Sequence, residues 1–149
     1  MKKIWVLLIL STTSAMASDS QSEDEVTKRV MDNVSHEYTV CSAYYMIVSN
    51  AVMAAGSQET SEQYQTVAES ALGLALQAAA VGRSEEMAQK VVTARLETEI
   101  KLMADEIDHD NANISVLNVK HIERCKWAME NVEAVMDEWM LKELTKPDG

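Results

Sequence analysis

The feature that most limits what this chain can fold into is an apolar seam with a cysteine at its middle, and it occurs twice. Val34, Tyr38, Cys41, Tyr45, Val48 and Val52 step by 4, 3, 4, 3 and 4 residues, which lines one face of a helix. Ile122, Cys125, Met129, Val132, Met136 and Trp139 step by 3, 4, 3, 4 and 3. These are the chain's two cysteines. The pattern predicts two long helices stitched together by a Cys41–Cys125 disulfide.

Two further amphipathic stretches lie between them. The first predicted helix runs from about Glu25 to Ala55, with Gly56 as its left-handed stop. Thr60-x-x-Gln63 reads as a capping box for a second, Ser61 to Val81, carried by Tyr64, Val67, Ala71, Leu74, Ala78 and Val81. Its many alanines would let a neighbour approach closely. Ser84 caps a third, whose face is Val92, Leu96, Ile100, Met103 and Ile107, and which ends somewhere in 105–111. A fourth spans Ser115 to about Leu144. Four glycines and one proline leave few breaks. The expected fold is all-α, an up-down-up-down four-helix bundle over 25–144. Cys41 lies 14 residues before the end of the first helix and Cys125 10 after the start of the fourth. In antiparallel neighbours their heights differ by only about 6 Å.

The start of the chain places it outside the cytoplasm. Lys2 and Lys3, the apolar run Ile4–Leu10 and the Ala15-Met16-Ala17 site make residues 1–17 a signal peptide. The short leader points to a bacterial periplasm or the medium. Two cysteines in an exported chain are expected to pair, and a bridge across so long a loop contributes about 4 kcal/mol. Residues 18–24 read as a flexible acidic lead-in and 145–149 as a tail. No other apolar run is long enough for a membrane span, so no stable insertion is expected after cleavage.

Losing Lys2 and Lys3 with the leader takes the formal charge from −11 to −13. That argues against nucleic acid and anionic membranes and fits a basic protein partner. The acids concentrate oddly in DEIDHD: Asp105, Glu106, Asp108 and Asp110, with His109, fall where a helix should end. Negative charge there opposes the helix dipole. In the expected topology Glu59 and Glu62 share this pole, so like charge gathers without visible compensation. Such a broken rule marks a candidate partner-binding surface. The competing reading makes Asp108, Asp110, Asn111 and Asn113 turn and cap residues ahead of the last helix. Tyr44, about 100° round from the seam, and Trp127 are candidates for an exposed aromatic patch that would anchor an interface.

Site chemistry is otherwise sparse. Glu106-x-x-His109 matches half of a di-iron carboxylate element, but no second copy exists. A calcium loop from Asp108 fails at Ala112, Asn113 and Val119. No haem-attachment motif, nucleophile elbow, zinc helix or phosphate loop appears, so no cofactor is implied. The sequence reads as an exported, non-enzymatic binding protein of the bacterial envelope, of inhibitor or immunity type, meeting a basic protein through its acidic pole. The alternative is a periplasmic four-helix bundle that binds a small ligand or metal.

Overall fold

The computed structural model describes residues 17–146. Most of the expected leader and the last three residues of the tail lie outside it. The described chain is all-helical: α1 Ala17–Ala54, α2 Gln58–Ala79, α3 Glu85–Glu106, a 3₁₀ turn Asn111–Asn113, α4 Ser115–Glu130 and α5 Val132–Leu144. Among the described residues there is no strand, and no helix is long and apolar enough to cross a membrane. The bounds of α1 take in 18–24, the stretch expected as a lead-in.

The described residues form five α-helices rather than four, which corrects the expected Ser115–Leu144 helix. The break is Asn131, whose φ of −135° and ψ of 54° leave the helical region. Its side-chain Nδ2 donates to the Trp127 carbonyl, 2.9 Å away, and so occupies an acceptor at the end of α4. Asparagine favours such local bonds over helix continuation. The stepped apolar pattern runs across the break because a single residue leaves helix, and nothing in the spacing records it.

Helix α1 sits in the middle and touches every other helix. Five consecutive residues, Cys41 to Tyr45, are buried, so this part of α1 is covered on all sides rather than along one seam. Its covering on the α2 side is made of small residues. Ser42 Oγ donates to the Ala68 carbonyl at 2.9 Å, and Ser49 bonds Ser61. A step of seven back along α1 matches a step of seven forward along α2, which makes the pair antiparallel. The next step reaches Ser35 and Ala75, both fully buried. Ala71, Ala78 and Ala79 complete a face that lets the two backbones approach closely.

The core has two parts. One gathers Tyr44, Tyr45, Ile47 and Val48 with Met103, Ile107 and Leu117; the other gathers Val30, Val34 and Tyr38 with Val92, Ala128 and Val135. Cys41 and Cys125 are bonded, with Cα atoms 5.3 Å apart, and tie α1 to α4. Tyr38 Oη donates to the Ala128 carbonyl at 3.0 Å beside that bridge. α5 docks back on the first half of α1 through buried Val135 and through polar clasps described below.

Candidate functional site

The acidic segment is a built turn. Asp105 lies in the last turn of α3, with Lys101 Nζ 2.9 Å from one carboxylate oxygen and His109 Nε2 3.0 Å from the other. The Lys101 hydrogen bond holds the Asp105 carboxyl below the usual range. Glu106 pairs with Lys120 of α4. Asp108 and His109 then adopt left-handed φ values of 53° and 56°, which ends the helix. Asp110 accepts from the Ala112 N–H at 2.9 Å, and Asn113 Nδ2 donates to the Ile107 carbonyl at 3.1 Å.

The expected absence of compensation is therefore corrected. Lys101 and Lys120 pair with the helix-terminal acids, His109 lies against Asp105, and Asp110 is a cap. Asp108 is exposed and makes no ion pair among the described residues. Glu59 and Glu62 open α2, where Gln58 Nε2 donates to Glu62 at 2.9 Å. Among the described residues no hydrogen bond or ion pair joins them to 105–110. Glu106 and His109 each have an ion-pair partner, and no group of three or more metal-ligating side chains occurs among the described residues.

The aromatic patch is also corrected. Tyr44 is buried, because α4 covers the side of α1 away from the seam. Its hydroxyl donates to Asn118 Oδ1 at 2.9 Å, and its ring lies 5.0 Å from Tyr45 and 5.7 Å from His121. Burial, and then the neighbouring Tyr45 and Tyr64, push the Tyr44 phenol up to about 12. Burial likewise pushes the His121 imidazole down, which keeps it neutral at neutral pH. Trp127 is half-buried beneath the Arg124 guanidinium, 4.5 Å from its ring centre.

A groove of ≈ 490 Å³ lies over the disulfide, between α1, α4 and α5. Glu37 organises it. One of its oxygens accepts from Arg124 Nε at 2.6 Å, the other from Trp139 Nε1 at 2.5 Å. Arg124 continues to Glu138 at 2.7 Å, and Glu138 to Lys142 at 2.6 Å. Burial would lower the Arg124 pKa, but its hydrogen bonds to Glu37 and Glu138 outweigh that and raise it. With both oxygens engaged, Glu37 holds α4 and α5 against α1. Sequence reading missed this set, yet it left a trace. Glu37 adjoins Tyr38 and Arg124 adjoins Cys125, so each is a charged residue on the flank of a cysteine-bearing seam.

The outer face of α4 carries a different signal. Val116, Val119 and Ile122, at steps of three, are exposed, Val119 to 87%. Glu123 is exposed beside them. Comparison with protein-family models, with curated proteins and with solved structures gives no match to this chain.

Proposed function

We propose that this chain is an exported, non-enzymatic binding protein of the bacterial envelope, of inhibitor or immunity type, that engages a basic protein partner. The observation that carries the reading is the apolar row Val116, Val119 and Ile122 on α4. It adjoins the acidic turn that ends α3, where Asp108 is unpaired among the described residues. An apolar centre with a charged rim has the composition of a protein interface. The formal charge of −11 supports a partner of opposite sign, through faster encounter and rejection of acidic competitors. A secreted toxin or wall-degrading enzyme is the class of partner that fits this size, charge and compartment.

The up-down-up-down order of the helices belongs to the same proposal. Support comes from the antiparallel α1–α2 register and from the disulfide between α1 and α4. A second reading, a small-ligand binder, has the groove over the disulfide in its favour.

The test uses oxidised protein beginning at Ser18 as bait against an envelope extract, followed by titration of the purified captured protein. A basic partner should bind saturably and lose about tenfold or more in affinity with Val119→Asp, because a carboxylate would be desolvated at the interface centre. Equal binding by Val119→Asp, or binding that survives high salt unchanged, would overturn the reading. A groove ligand would instead raise the melting temperature of the protein alone.

A further inference from the structure

We propose that the groove where the α2–α3 connection meets α1 and α5 binds a small oxoanion of the phosphate or sulfate type. This site is separate from the α4 face and does not depend on that reading. The groove measures ≈ 300 Å³, and its charge does not balance.

Two carboxylates form its polar base. Asp32 accepts from Arg83 Nη2 at 2.6 Å and from Arg95 Nη2 at 3.0 and 2.9 Å. Glu143, its side chain only 2% exposed, accepts from Arg29 Nε at 3.2 Å, from Asn33 Nδ2 at 3.1 Å and from Lys146. Lys28 lines the same groove and has no ion pair among the described residues. Outside the lining, Glu25 lies 4.0 Å from Arg29. The groove lining thus carries four cations, Lys28, Arg29, Arg83 and Lys146, against two carboxylates, an excess of positive charge in a chain whose formal charge is −11. Like charges held together oppose one another unless a counter-charge is present.

Hydrogen-bonding capacity is also left over. Arg83 uses one N–H of Nη1 on the Ala79 carbonyl and one of Nη2 on Asp32. Its Nε–H and the second hydrogen of each Nη remain. Lys28 keeps all three ammonium hydrogens among the described residues. Gly82 positions it: a Cβ there would lie 2.8 Å from Lys28 Cε, so the lysine stem lies against the bare backbone next to Arg83. Ammonium and guanidinium donors that line one groove from α1, the α2–α3 connection and the chain just past α5 suit a compact tetrahedral oxoanion.

The rest of the molecule selects for a small ion. An extended anionic surface would meet the net negative field of the chain, whereas an ion inside the groove touches cations directly. Beyond about 8 Å the remaining acids are screened at physiological salt.

Titration with inorganic phosphate and sulfate, against chloride at equal ionic strength, tests the proposal by calorimetry. Binding should saturate at one ion per chain and weaken about tenfold in Lys28→Gln and in Lys146→Gln, each of which removes one charged donor. Lys90→Gln, on the outer side of α3, should leave it unchanged. Lys28→Gln breaks no hydrogen bond or ion pair among the described residues, and an unaltered far-ultraviolet circular dichroism spectrum would confirm that it folds. Vesicles of three parts phosphatidylglycerol to one part phosphatidylcholine form the last arm. Co-sedimentation with them in the absence of phosphate binding would overturn the proposal. So would unsaturable binding, or equal weakening by Lys90→Gln.

Discussion

Ser49 and Ser61 exchange hydrogen bonds across α1 and α2: each hydroxyl donates to the other's carbonyl at 2.9 Å. Seven residues along, Ser42 repeats half of this contact on Ala68. The contact requires small side chains on both helices. Ala68→Leu should therefore destabilise the protein by about 1–3 kcal/mol through overpacking. Ser35, one step further, has a buried hydroxyl oxygen with no hydrogen-bond partner. Ser35→Ala should cost under about 0.5 kcal/mol or stabilise, since it removes an unsatisfied polar atom. Urea midpoints of the two variants check the contrast. A tolerant Ala68→Leu would show that the helices separate more easily than their register implies.

The Cys41–Cys125 bridge spans 84 residues, which corresponds to about 4–5 kcal/mol of stabilisation in the chain-entropy account. Replacing both cysteines by alanine should lower the unfolding free energy by roughly that amount. Both sulfurs are buried, so dithiothreitol should reduce the bridge only as fast as the protein opens. Thiol trapping with and without mild urea measures this. Rapid reduction of the folded protein would place the bridge at an accessible edge instead.

Much of the frame was readable because it rests on periodicity. The seam Val34 to Val48 is buried as spaced, and the cysteines pair because both lie on seams at matching heights. What periodicity hides is the number of sides from which a helix is covered. Tyr44 lies about 100° off the seam and is nonetheless buried, because α4 packs there. The Glu106–Lys120 pair joins residues 14 apart on different helices, so the charge of the acidic segment was not legible locally. The Lys101–Asp105 and Asp105–His109 pairs were, at four-residue spacing. Asn131 breaks a helix without breaking its apolar rhythm.

Acid should loosen α3 from α1 and α5 from α4. Burial pushes the Asp32 carboxyl up, but hydrogen bonds from Arg95 and Arg83 outweigh it and hold the group below the usual 3.8. Hydrogen bonds from Lys142 and then Arg124 hold Glu138 below its usual 4.5. Both groups bind fewer protons folded than unfolded. Their stabilisation is therefore present above the ordinary carboxylate range and is lost as pH falls through it to the folded values. Unfolding midpoints should fall across that window, and Asp32→Asn should flatten part of the slope while lowering stability at neutral pH. An unchanged slope would assign the acid response to other carboxylates.

Alkali should act through the tyrosine core. Tyr44 is pushed up to about 12 by burial, against 10.0 for a free phenol. The folded protein thus retains its proton over a range in which the unfolded chain loses it. That contribution is fully present below the unfolded value and is lost as pH rises through the folded one. Absorbance near 295 nm should show tyrosines that ionise late, together with loss of structure, and the late amplitude should shrink in Tyr44→Phe without vanishing, because burial raises Tyr38 and Tyr45 as well. The same variant leaves Asn118 Oδ1 without its donor, so it should cost about 1 kcal/mol at neutral pH. Its effect should remain confined to α1 and α4, since the phenol touches neither α5 nor the Glu37 clasp by any hydrogen bond. Early ionisation of every tyrosine would mean that α4 does not cover Tyr44 in solution, and the exposed aromatic surface first expected there would return.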